Sequence, residues 1–161
     1  MAVSIPGLST LGVLFSYGIE TTAGTKPTKF TLLERCNDIP EITLETSTID
    51  ASALEDMQSR YVAGRQDTGG EWAPVFNFTD EVINQLTTMM TESDTALKTG
   101  KRTWFQVTVP NMAKAFFVVG QPGTKVPLPA IGQNALLTGA ISIAIDEYVG
   151  LDTKVTPVAH D

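Results

Sequence analysis

The chain has 161 residues, 11 Lys and Arg against 18 Asp and Glu, and a net charge of −7. That length bounds it to one domain, or one domain with extensions, and 42% apolar residues are enough for a core. An acidic chain without clustered Lys and Arg does not grip nucleic acid through its phosphates. No apolar run approaches the ~18 residues that suggest a membrane span, and one Cys with one His leaves no internal disulfide, no multi-Cys zinc site and little His-based catalysis or metal ligation.

The first twenty residues, MAVSIPGLSTLGVLFSYGIE, place no positive charge ahead of their apolar stretch and do not read as a secretion signal. Within them Leu11, Val13, Phe15, Tyr17 and Ile19 fall at every second position, the period of a strand with one buried face. Residues 22–30 (TAGTKPTKF) form a turn-rich connector. Thr31–Thr46 mixes short apolar pairs with Glu34, Glu41 and Glu45 and predicts two short strands, or one broken near Pro40. From Ser47 to Glu71 the pattern fades into a long polar loop (about 47–71), of the kind that is functional or disordered, with room for one helical turn at Ala51–Gln58. Trp72, Pro74, Phe76 and Phe78 alternate again, a strand that Pro74 restricts to an edge or a bulge.

The clearest helix starts at Thr79. That residue is a good N-cap, and Asp80 and Glu81 put anions where the helix dipole favours them. Val82, Ile83, Leu86, Met89, Met90 and Leu97 form one apolar stripe at helical spacing. Lys98 in the last turn and Gly100 after it close the helix. Thr103–Val109 and Met112–Val119 follow, separated by Pro110 and Asn111, as a tight hairpin. Gln121–Pro129 reads as loop, Ala135–Ile145 as the last long strand, and 149–161 as an extended arm or short edge strand. Strands around a lone helix predict a mainly β fold. We expect a single domain over 1–161, a β-sandwich or partly open barrel with one flanking α-helix.

Catalytic machinery is not visible. His160 lies next to the end, where chains fray. Cys36 has no His near it in sequence and sits in an apolar-rich strand, where Cys behaves as a small hydrophobe. Glu34, Asp38, Glu41 and Glu45 crowd one region, but without a calcium-loop pattern they read as a solvated acidic face. Lys101, Arg102 and Trp104 are the one basic–aromatic cluster, too small to outweigh the acidic background. No catalytic, cofactor-binding or metal-ligating residue is assigned.

One stretch resembles a known family. Ile39-Pro40-Glu41-Ile42-Thr43, then Ser47-Thr48-Ile49-Asp50, then a polar loop ending in Gly69-Gly70, is similar in order to the major tail tube proteins of long-tailed (siphovirus-type) phages and prophages. A hairpin like Trp104–Val119 and a final long strand near Ala135–Ile145 continue that order along nearly the whole chain. The resemblance implies a tail-tube-like fold whose subunits form homohexameric rings stacked into a tube. Inner strands join into one barrel through which DNA passes without tight binding. It implies tape-measure and tail terminator or tip proteins as partners, no cofactor, no membrane, and a place in the virion after assembly in the host cytoplasm. Four strands from each of six subunits, ~4.8 Å apart and tilted about 40°, would give a backbone diameter of roughly 48 Å.

On this reading part of the acidic excess faces the lumen, where it repels phosphates and lets DNA slide. The candidates are Glu34, Glu41, Glu45 and Asp146. The loop residues Asp50, Glu55, Asp56, Arg60, Arg65 and Asp67 carry both signs and suit ring-to-ring contact. A related reading is the inner tube of a contractile tail or of a tail-like secretion or bacteriocin particle. A reading of another class is a monomeric β-sandwich binding module, which should expose Trp72 and Trp104 on a concave face. A small carboxylate enzyme would need Glu34, Asp38 or Glu41 beside a pocket.

Overall fold

The structure, a computed structural model, describes residues 6–160. Its elements follow in the order β1 (Leu14–Ile19), β2 (Thr31–Leu33), β3 (Cys36–Asp38), β4 (Glu45–Asp50), β5 (Tyr61–Asp67), β6 (Glu71–Trp72) and β7 (Val75–Asn77). Then come α1 (Asp80–Lys98), β8 (Thr103–Thr108), β9 (Lys114–Pro122), β10 (Thr138–Ala140) and β11 (Ile143–Thr153). The fold is mainly β with one helix, and its large sheet curls into a half-barrel. That sheet has the order β2-β1-β8-β9-β11-β6, antiparallel throughout. A three-stranded sheet, β10-β7-β3, and a separate hairpin, β4-β5, complete it.

Alternation along β1 and β8 sends Phe15, Tyr17 and Phe105 to one face of the large sheet. There they meet Phe76 and Phe78 from the small-sheet side and Val82, Leu86, Met89 and Met90 from α1. Phe15 lies 5.6 to 5.8 Å from the rings of Trp72, Phe76 and Phe105, offset and edge contacts that aromatic quadrupoles favour. The opposite face is buried too. Trp104, Ala115, Phe117 and Val119 pack there with Phe30, Val149 and Val155. A β-strand with both faces covered shows burial at successive positions rather than alternation, which is the pattern along Trp104–Gln106.

The helix forms as its ends dictate. Thr79 Oγ1 accepts from Val82 N at 3.2 Å, and Thr99 caps the far end with its N–H on Ala96 and Leu97 carbonyls. Gly100 takes φ +78°, the left-handed conformation that closes helices. Of the predicted stripe Val82, Leu86, Met89 and Met90 are buried, Ile83 is half-buried, and Leu97 is 53% exposed.

Other expectations are corrected. The first strand begins at Leu14 rather than Leu11, because Gly12 turns the chain at φ +85° and leaves Leu11 exposed. Residues 47–71 are not a loop: β4 and β5 pair from Glu45↔Asp67 to Asp50↔Tyr61. Thr46, Thr48, Ile49, Tyr61 and Val62 are strand formers, but both faces of the hairpin are open to solvent, so no alternation marks it. Ala51–Gln58 holds no helix. Asp50 Oδ1 accepts from Ser52 N at 2.9 Å and Asp56 Oδ2 from Ala53 N at 2.7 Å, local bonds that compete with helical ones. The Trp72–Phe78 strand is split by Pro74 into β6 and β7, which join different sheets. Ala135–Ile145 is likewise two strands, and β11 runs on to Thr153 against β9. The expected C-terminal arm turns back as a strap. Val158 bridges Thr31 in parallel, and the Gln106 amide clamps Val155 N and O at 2.9 and 2.8 Å.

Candidate assembly surfaces

The β4–β5 hairpin is an arm. Its first connection leaves the small sheet after Asp38 in β3, and its second enters β6 at the edge of the large sheet before the chain rejoins the small sheet at Val75. It brings together all six residues expected in ring-to-ring contact. Asp50 ends β4, Glu55 and Asp56 lie in the tip, Arg60 precedes β5, and Arg65 and Asp67 sit on β5. Ser52, through its hydroxyl and its N–H, holds the Asp50 carboxyl below its usual range. Large apolar side chains share the arm: Ile49, Tyr61 and Val62 are half exposed or more, and Leu54 and Met57 at the tip are exposed in full. An exposed apolar cluster of this kind marks an interaction surface.

The four acidic lumen candidates do not form one patch within a subunit. Glu34 follows β2 at one edge of the large sheet and Asp146 lies on β11 near the other, four strand spacings away along the curled sheet. Glu41 and Glu45 flank the root of the arm, and all four are exposed. Asp146 is held by a cation: Arg102 Nη1 reaches it at 3.0 Å and Glu147 at 3.2 Å.

Arg102 also reaches Glu20, a group that sequence reasoning missed. The Glu20 side chain is wholly buried. Its Oε2 accepts from Trp104 Nε1 at 2.9 Å and its Oε1 from the Arg102 and Gly24 N–H groups at 2.8 and 3.2 Å. Burial alone would raise its pKa. The Trp104 and backbone donors, with the Arg102 charge, outweigh that and hold it below the ordinary 4.5. Lys101-Arg102-Trp104 was visible as a cluster in the sequence, yet its acid lies 82 residues away from Arg102, and no local signal connects them.

Strand edges are the other surface. β6 covers β11 only at Ile143 and Ala144, so most of the outer edge of β11 has no strand beside it among the described residues. Bulges after Ile145 and Tyr148 distort that edge, which discourages indiscriminate pairing.

Of the features that the rival readings require, the exposed aromatic pair is not formed, whereas two of the three carboxylates do stand beside clefts. Trp72 and Trp104 are 3% and 6% exposed and offer no aromatic platform. Glu34 lines a cleft of ≈ 440 Å³ with Cys36 and Asn77, and Asp38 a neighbouring one of ≈ 570 Å³ with Leu11 and Val107. Glu41 lines neither. Burial pushes the Cys36 thiol up to about 12, the opposite of an activated nucleophile. Among the described residues no group of three or more His, Cys, Asp or Glu could hold a metal ion, and no helix is long and apolar enough to cross a membrane.

No family model matches this sequence, and no curated protein matches it. In three dimensions the chain is similar to a chain of the cryo-EM structure of the anti-feeding prophage (AFP) baseplate, 6-fold symmetrised. The TM-score is 0.54 at 14% identity, and the match covers 95% of this chain and 100% of that one.

Proposed function

We propose that this protein is a structural component of a phage tail or of a prophage-derived tail-like particle. The observation that carries this reading is the end-to-end likeness of the fold to a chain of a six-fold prophage baseplate. An apolar, two-signed arm and a nearly open sheet edge support it, because both suit a subunit that meets copies of itself. The finer reading is a tube subunit in homohexameric rings, with edges closed by neighbours and with DNA passing through the lumen. The tube is that of a long-tailed phage or of a contractile or secretion-type particle. Tape-measure and terminator or tip proteins are its proposed partners, and its role is architectural rather than enzymatic. Glu34, Glu41, Glu45 and Asp146 remain the proposed lumen acids.

Negative-stain electron microscopy of the concentrated protein tests this. Hollow tubes or six-fold rings are expected. Monomers that persist after seeding with a tail-tip complex would sink the reading.

A further inference from the structure

The arm has an apolar tip that nothing covers among the described residues, and the fold offers a second surface of the same character. Residues 123–137 join β9 to β10. From Val126 to Leu137 this connector holds no charged residue, and Leu128, Ile131 and Leu136 are 85%, 75% and 68% exposed. A twelve-residue run without charge and with its leucines in solvent is unusual for a surface loop, and exposed apolar clusters of this kind mark contact sites.

Topology separates the two surfaces. In the small sheet Thr138 pairs with Asn77 and Ala140 with Val75, while Cys36 pairs with Phe76 and Asp38 with Val75. One end of that sheet is therefore Asp38, Val75 and Ala140, the end from which the chain leaves for the arm. The connector enters β10 at Thr138, at the other end. Both surfaces stay exposed in the chain, so neither covers the other within one copy. They fit a head-to-tail contact between copies, which propagates rather than closing as a pair.

We infer that the tip of the arm docks on the 126–137 connector of a second copy of this chain, which is the contact that stacks subunits. The inference rests on the tail-subunit reading. The area is adequate. Five arm side chains and four connector side chains (Leu137 is the fourth), 39% to 109% exposed and worth roughly 60–120 Å² each when fully exposed, supply about 400–800 Å² of apolar surface. An interface at the lower end of the stable range, about 1,200 Å² and a little over half apolar, needs about 700 Å². Glu55 and Asp56 beside the apolar tip meet no like charge on the connector, whose charge-free stretch removes the repulsion that an acidic chain otherwise shows to its copies.

Two variants test it, an arm form with Leu54→Asp and Met57→Asp and a connector form with Ile131→Asp and Leu136→Asp. All four positions are exposed, so unchanged circular dichroism and Tm are expected of both. Sedimentation velocity and electron microscopy should show that each alone has lost stacking, with Kd for self-association raised at least tenfold. Mixed in equal amounts, they should form a paired species (two chains, or two rings of chains) and no longer stack, because each retains the surface the other lacks. A connector variant that stacks like wild type overturns the inference while leaving the tail-subunit reading intact, since the arm then docks elsewhere. Two blocked variants that do not pair on mixing overturn it as well. A wild-type chain that never associates, seeded or not, overturns both.

Discussion

Glu20 shows how much a single side chain can organise. Its carboxylate ends β1 and ties together the Gly24 turn, the start of β8 and, through Arg102, the Asp146–Glu147 stretch of β11. Glu20→Ala leaves the Trp104 indole N–H and two backbone donors without their acceptor, and should cost about 2–4 kcal/mol in chemical denaturation. The pH dependence has a definite sign. The folded pKa lies below the ordinary 4.5, so between the two values the unfolded chain holds more protons and stability rises with pH. The Glu20 contribution is complete above about 4.5 and lost as pH falls through the folded value. Acid titration should destabilise the wild type more than Glu20→Gln in that window. Cys36 makes the opposite case. With burial holding its thiol near 12, a disulfide reagent at pH 8 should label the folded protein more than a hundredfold slower than the unfolded chain; equal rates would contradict the packing around Cys36.

At the scale of elements, the helix and the arm differ in what holds them. The helix was legible in full from its cap, its acids and its stripe, and the structure moved only Leu97 to solvent. Thr79→Ala should lower stability by about 1 kcal/mol, read from the denaturation midpoint. The arm has almost no core to anchor it. Removing 50–68 is expected to leave the melting of the sandwich nearly unchanged and to abolish assembly; retained assembly would remove the arm from ring-to-ring contact. Its strands went unread because period-2 alternation is a signature of one buried face, and this hairpin buries neither. β7 and β10 show the reverse situation. A Cβ at Gly139 would run into the Phe78 ring, so Gly139→Ala should cost about 1–3 kcal/mol by overpacking, in contrast to the neutral outcome expected of an edge-strand glycine.

For the whole molecule, the charge of −7 predicts behaviour independent of any single site. Duplex DNA should not be retained in a gel-shift at low salt, whether the protein is free or assembled; retention that weakens steeply with salt would reveal a basic lumen instead. Fold class and the strongest elements were legible in the chain, because burial periodicity, capping chemistry and turn residues act over a few positions. The sequence also supplied the arm's charged candidates for contact, whereas the uncharged 126–137 stretch reads there only as loop and strand and draws notice once its apolar side chains are seen in solvent. Only the tertiary structure decided which strands pair, that the last strand breaks at Ile141–Ser142, that the C-terminal segment folds back on Gln106, and that Arg102 serves a buried acid. Those outcomes depend on groups far apart in the chain, 44 to 82 residues for the Arg102 and Gln106 bonds alone, and the free energy of such contacts is decided by burial and geometry that no local pattern encodes.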